Sequence, residues 1–327
     1  MIFKCKNCGG NAIYSPEHKG MFCPYCDSEK SEERKHDLYN ITACPDCGTE
    51  LEIGPHVSAL QCPGCDNYII LNDRVEEEYL PQKLIPFKYS KKMVKDLLKE
   101  KFKKCIFAPT DFLSEARLNS MRGQYIPFWM YNYSTNCFFS GEGIKVRTWR
   151  TGNVEHTETS YYQVQRDLTV DYHDIPVDAS VEMPDNIMDL MEPYSYNEMV
   201  PFTPEYMSGF DGEKYNMAAG LVENRAKQKM QSSAEAILSN SVKGYVKVNA
   251  QQRTISPRNT KTEYSLLPVW KYIYKYNDEM YPFYINGQTG KIVGKVPVSK
   301  QKVWVYGATL WGVLTFGILL VGYLLTM

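Results

Sequence analysis

Histidine is scarce in this chain, with five in 327 residues, and none stands beside a recognisable nucleophile motif. His18, His36 and His56 fall in or between cysteine-rich segments, His156 stands apart, and Tyr172-His173-Asp174 reads as a surface or hydrogen-bonding group. A phosphate loop is missing too. Asn286-Gly287-Gln288-Thr289-Gly290-Lys291 lacks the G-x-x-x-x-G-K-[ST] spacing and lies between strand candidates, so it reads as a hairpin turn. No catalytic residues and no nucleotide-hydrolysis motor are therefore expected. Net charge is nearly absent, with 37 basic against 38 acidic residues, which excludes a global field drawing the protein to phosphate backbones. No apolar run precedes the first cysteine at residue 5, so a secretory signal is not expected.

What the sequence does have is paired cysteine. Eight of its ten cysteines form C-x-x-C pairs: Cys5, Cys8, Cys23 and Cys26, then Cys44, Cys47, Cys62 and Cys65. Both sets read C-x2-C-x14-C-x2-C and start 39 residues apart, so they form a tandem repeat. A tetrahedral metal needs two thiolates from one tight turn, twice over, whereas a disulfide framework does not favour thiols two residues apart. Two structural Zn(II) ions are expected, each closed by four thiolates, with reduced thiols on the cytosolic side. Cys105 and Cys137 stand alone among apolar neighbours.

The charge between the ligands bears on what the ribbons touch. From Cys44 to Asn72 there is no Lys or Arg, against Asp46, Glu50, Glu52 and Asp66, so the second ribbon is a poor phosphate binder. In the first, Lys4, Lys6, Lys19 and Lys30 are nearly balanced by Glu17, Asp27 and Glu29. Protein partners are expected for both. The repeat reads as two zinc-built knobs held out from a membrane.

Hydrophobic residues at 43% and charged residues at 23% call for a folded body after the ribbons. The boundaries expected are ribbon 1 at 1–30, a polar linker at 31–43, ribbon 2 at 44–72, an α+β body at 84–300 and an apolar helix at 303–325. Ser90 can cap a helix to about Cys105, with Met93, Val94, Leu97, Leu98 and Phe102 on its apolar side. Nine lysines against Asp96 and Glu100 give Lys83–Lys104 a local charge of +7, a solvated helix face or a contact for membrane or nucleic acid. A short helix near Asp111–Ser120 precedes antiparallel strands that turn at Thr151-Gly152-Asn153. A second long helix is expected over Tyr215–Asn240, carrying Val222, Ala226, Met230 and Ile237. Strands then follow at Val242–Gln252, Thr262–Tyr276 and Met280–Val296. The motif P-x-W-x-Y-x-Y occurs at Pro127–Tyr133 and again at Pro268–Tyr274, which alternation reads as two aromatic core strands.

Val303–Leu325 carries no charge for 23 residues. At about 1.5 Å per residue this is about 35 Å, against a hydrocarbon core of about 30 Å. Lys291, Lys295, Lys300 and Lys302 precede it with no acidic residue after Glu279, which predicts a single-pass, tail-anchored protein with its N-terminal body in the cytoplasm.

Several of these stretches also carry a resemblance. Leu84-Ile85-Pro86-Phe87, Tyr125-Ile126-Pro127-Phe128-Trp129, Val200-Pro201-Phe202, Gly209-Phe210, Leu266-Leu267-Pro268-Val269-Trp270 and Ile285–Lys291 resemble a family of prokaryotic membrane-anchored zinc-ribbon proteins. The resemblance covers nearly the whole chain. It implies transcription-factor-IIB-type ribbons, a Pro- and aromatic-marked α+β body and a C-terminal apolar segment, in a family often labelled as primosomal replication-restart helicase-like. The function expected is a membrane scaffold or adaptor that binds protein through its ribbons. The alternative is a nucleic-acid-linked factor of replication or transcription without a motor of its own.

Overall fold

Along residues 1–34 and 41–325, which the computed structural model describes, short strands come first and long ones later. The ribbon region holds β1 (Ile2–Cys5), β2 (Ile13–Ser15), β3 (Gly20–Phe22), β4 (Ser31–Arg34), β5 (Val57–Gln61) and β6 (Tyr68–Ile70). The body begins with β7 (Lys83–Leu84), α1 (Lys91–Phe102) and α2 (Glu115–Leu118), followed by β8 (Arg122–Thr151), β9 (Val154–Asp178) and α3 (Asp185–Met191). After β10 (Val200–Pro201) and β11 (Asp211–Glu213) come α4 (Ala219–Ser241), β12 (Lys247–Tyr276), β13 (Glu279–Asn286), β14 (Ile292–Gly294) and α5 (Lys300–Leu325).

The sheet is built outward from β8. It pairs antiparallel with β9 on one edge and β12 on the other, and β12 continues through β13 to β14. β9 reaches only as far as Phe128, which leaves Gln124 and Tyr125 free to pair in parallel with β11. β11 in turn carries β5 and β6, so a ribbon hairpin forms the margin of the body sheet. The result is the expected α+β class with largely antiparallel strands.

The two P-x-W-x-Y-x-Y motifs lie on the paired strands β8 and β12, with Trp129 opposite Tyr264 and Tyr125 opposite Pro268. Because residues directly opposite share a face, the aromatic rows lie on one side of the sheet and run away from each other. Each row is roofed by a helix and its leading loop. Trp129 Nε1 donates to Met217 O at 2.8 Å and Tyr131 Oη to Ala219 O at 2.6 Å, where α4 begins. Trp270 Nε1 donates to Tyr89 O at 2.9 Å, just before α1, and Tyr272 Oη to Phe112 O at 2.6 Å. In both copies the Trp bonds the carbonyl two residues ahead of the first helical residue. The same device thus sets where each roof helix starts. Ile126, Phe128, Met130, Leu267 and Val269 point to the other face, where Met188 and Met191 of α3 cover them. These rows are core: Tyr131, Tyr133, Tyr272 and Tyr274 are all buried.

Helix boundaries shift in detail. Ser90 Oγ accepts from Met93 N at 3.4 Å, so the cap is as expected, but α1 ends at Phe102 and Met93 is exposed. The buried stripe of α4 is Val222, Ala226, Met230, Ala234 and Leu238, a strict four-residue repeat that leaves Ile237 37% exposed. Of the strands expected at Val242–Gln252 and Thr262–Tyr276, the residues from Lys247 on are parts of one strand, β12. Between them Arg253–Lys261 pairs with β8 across a register shift at Asn259/Lys261, with Ile255 and Pro257 half-buried among exposed polar residues. Cys137 is buried against α4, while Cys105 is exposed, contrary to the apolar setting expected of it.

Replacing Tyr272 by Phe leaves the Phe112 carbonyl buried without its donor and should cost about 1–3 kcal/mol. Ile273→Thr, on the exposed neighbouring position, should stay within about 0.5 kcal/mol. Urea unfolding of the solubilised chain, followed by tryptophan fluorescence, compares the two.

Candidate metal centres

Each of the four C-x-x-C pairs opens a turn of one design. The carbonyls of Cys5, Cys23, Cys44 and Cys62 accept from the N–H four residues on, at Gly9, Asp27, Gly48 and Asp66, over 2.8–3.0 Å. Their own N–H groups donate to the carbonyls five residues on, at Gly10, Ser28, Thr49 and Asn67, over 2.8–2.9 Å. Closing so tight a turn puts the fourth residue in the left-handed region, with φ of +73°, +57°, +74° and +58° in chain order. Gly has no Cβ to clash there and Asp tolerates it better than most residues, which accounts for the Gly, Asp, Gly, Asp sequence at these positions. The residue just after each pair was a legible signal that ligand spacing alone misses.

The turns bring the sulfurs together in two groups, Cys5, Cys8, Cys23 and Cys26, and Cys44, Cys47, Cys62 and Cys65, each with all Sγ atoms within 4.8 Å. Closest approaches are 3.6 Å for Cys5–Cys26 and Cys8–Cys23, 3.7 Å for Cys44–Cys65 and 3.6 Å for Cys47–Cys62. Metal–sulfur bonds of about 2.3 Å in a tetrahedron place sulfurs about 3.8 Å apart, so both groups fit a zinc-type ion. A disulfide, at about 2.05 Å, does not fit them. Backbone donors reach the sulfurs: Asn7 N lies 3.3 Å from Cys5 Sγ and Gly64 N 3.4 Å from Cys62 Sγ. The Cys8 N–H is the main reason the Cys5 thiol is pulled down to about 6. An ion held by all four thiolates of a group would have no tetrahedral position left for water.

The two ribbons interlock. Ile2 of β1 packs among Leu51, Ile69 and Leu71 of the second ribbon. Lys4 Nζ lies 2.8 Å from Asp46 Oδ2 and donates to Asn11 and Asn67 Oδ1 at 2.9 Å each, while Asn67 also donates to Asp46. Side-chain exposures of 10% and 13% make Lys4–Asp46 an internal ion pair, so neither charge belongs to the surface inventory read from sequence.

The ribbons are also fused to the body. Phe3, Ala12 and Tyr14 of the first ribbon join the main core of the body. Tyr14 N donates to Ser208 O and Ser208 Oγ to Ala12 O, both at 2.7 Å. In the second ribbon Ala59 of β5 faces Gly212 of β11, where an added Cβ would stand 2.3 Å from Met207 Cε. Part of the expected linker is strand β4, paired with β1, and residues 35–40 lie outside the described residues. At the seam of both ribbons and the body lies a cleft of about 540 Å³, lined among others by Phe22, Tyr68, Lys91, Arg122, Asp211 and Trp270. Burial raises the Asp211 carboxyl despite Arg122, whose Nη1 is 3.4 Å from Asp211 Oδ2. Neither His156 nor His173 lines this cleft, and His156 stacks on Trp149 beside the β8–β9 turn.

Two closed four-cysteine centres and a terminal helix, Lys300–Gly322, long and apolar enough to cross a membrane fit a membrane-anchored, zinc-binding protein. The chain belongs to the family of the uncharacterized protein YdjG of Bacillus subtilis (strain 168): they are 38% identical over 311 residues, covering 92% of this chain and 91% of that one. No family model matches the chain, and no solved structure does.

Lys4→Met removes the nearest cation from Asp46, which keeps Asn67 and, at 3.8 Å, Arg34, and should destabilise the metal-loaded protein by about 1–3 kcal/mol. The exposed Lys6→Met should cost no more than about 0.5 kcal/mol. Chemical denaturation midpoints decide between them. Because β5 extends the body sheet, chelating the metal should also raise amide hydrogen exchange in β11 and at Gln124–Tyr125, well outside the ribbons.

Proposed function

We propose that this protein is a zinc-built adaptor at the membrane, with its body in the cytoplasm, whose ribbons and adjoining cleft bind a segment of a partner protein. The ion is zinc on this reading, because four thiolates in closed tetrahedral geometry suit an ion that builds structure rather than one that reacts. The carrying observation is the cleft, where both ribbons and the body contribute walls beside two four-cysteine groups. Clefts at such junctions are preferred binding places, and this one mixes aromatic walls with a few charges. No catalytic role is part of this reading.

The nucleic-acid alternative loses support from the fate of the lysines. Lys95, with its side chain only 17% exposed, bonds Glu115 and Asn119, and Lys91 donates to Asn119 O, so part of the positive charge of the helix is held inside the fold. Phosphate recognition requires cations free to replace counterions.

A photo-crosslinking residue in place of Pro24 or Lys92, at the rim of the cleft in the full chain, tests the proposal in native membranes. Discrete protein adducts that vanish with Cys44→Ser/Cys47→Ser are expected. Adducts to nucleic acid instead, or none at either position, would refute it. Elemental analysis of the purified chain should find two zinc ions, falling towards one in the double variant.

A further inference from the structure

Helix α5 does not leave the body through a free linker. Ser299 N donates to Phe107 O at 2.8 Å, Lys302 Nζ donates to Ala108 O at 2.7 Å, and the Phe107 ring meets Tyr306 edge-on with centroids 5.4 Å apart. All three contacts land on the loop that follows α1. They also fix its depth. Tyr306 lies four residues beyond Lys302, the last charge of the helix, which is about 6 Å along its axis. On the membrane reading of α5, one turn past its last charge is the boundary of the bilayer, and there lie Tyr306 and the Phe107 packed on it. Trp304 and Tyr306 are the residue types that settle at that level.

The rest of the loop suits the same place. Ile106 is 57% exposed, and Lys103, Lys104 and Cys105 are exposed before it. Lys103 pairs with Glu100, but both are in solvent, and such pairs exchange readily for another anion. Lys295 and Lys300 are exposed near the start of α5. Between the loop and the helix lies a recess of about 430 Å³ whose lining includes Ile106, Phe107, Lys302, Val305 and Thr309.

We propose that the loop Lys103–Phe107 is a second membrane foot: Ile106 and Phe107 enter the interface beside α5, and Lys103 and Lys104 engage the headgroups of anionic phospholipids. The occupant is the lipid of the bilayer that α5 crosses, since the surface is continuous with the span and its free charges are positive. The foot rests on the membrane reading of α5. It holds the body against the bilayer at a set angle.

Cys105 provides the probe, because it is exposed and outside both metal groups, whereas Cys137 is buried. The zinc-loaded full chain, spin-labelled at Cys105, is reconstituted into vesicles of phosphatidylcholine with or without phosphatidylglycerol. Power saturation against oxygen and chromium oxalate then reports its depth. With phosphatidylglycerol the label should be shielded from chromium oxalate, and Ile106→Glu or Lys103→Glu/Lys104→Glu should abolish the shielding. A label as accessible as one at Glu235→Cys on α4 would overturn the foot. Equal shielding without phosphatidylglycerol would overturn the anionic headgroup as its ligand. Release of the unmodified chain from membranes by alkaline carbonate would instead overturn the span itself, so the two failures are distinguishable.

Discussion

The antiparallel pairing of β8 with β12 is the interaction on which the other parts of this molecule depend. It places two copies of an aromatic motif back to back on one face, and each copy then anchors a different roof through its Trp and Tyr polar atoms. Burial of these rings supplies the apolar area, and the hydrogen bonds at their tips give register that burial alone does not. Because β9 leaves β8 before Gln124, the same strand also offers a short unpaired edge. That edge takes β11, and through β11 the second ribbon.

Metal and body are therefore mechanically continuous. A ribbon of this size has too few apolar residues for a stable core and depends on its ion to close. Here the first ribbon adds Phe3 and Tyr14 to the core of the body, the second adds β5 to its sheet, and Lys4 and Asp46 join the ribbons to each other. Loss of an ion would loosen the seam where the cleft lies. A cleft walled in this way would keep its shape only while both centres are filled.

Much of this was legible in the residues. The cysteine spacing, the two aromatic motifs, the Ser90 cap and the uncharged terminal run are local patterns whose meaning does not depend on the rest of the chain. What was not legible depends on long-range pairing. No local pattern announces that Lys4 meets Asp46, because both look like surface charges until the ribbons interlock. The residues Arg253–Lys261 carry strand geometry without strand chemistry, since β8 supplies their hydrogen bonds and solvent takes most of their side chains. The seam failed to show for the same reason: nothing local to Gly212 announces it, and only the approach of Met207 and Ser58 explains the missing side chain.

The length of the central strands has a consequence for the shape of the particle. Thirty residues of β8 at about 3.3 Å each would reach about 100 Å if straight, several times the roughly 30 Å width of a small domain. At its far end Lys145–Thr151 pairs with β9 beyond the start of β12, which meets β8 at Ile144, and these residues are exposed on both faces. A ribbon with both faces in solvent adds length to the sheet without adding to the core.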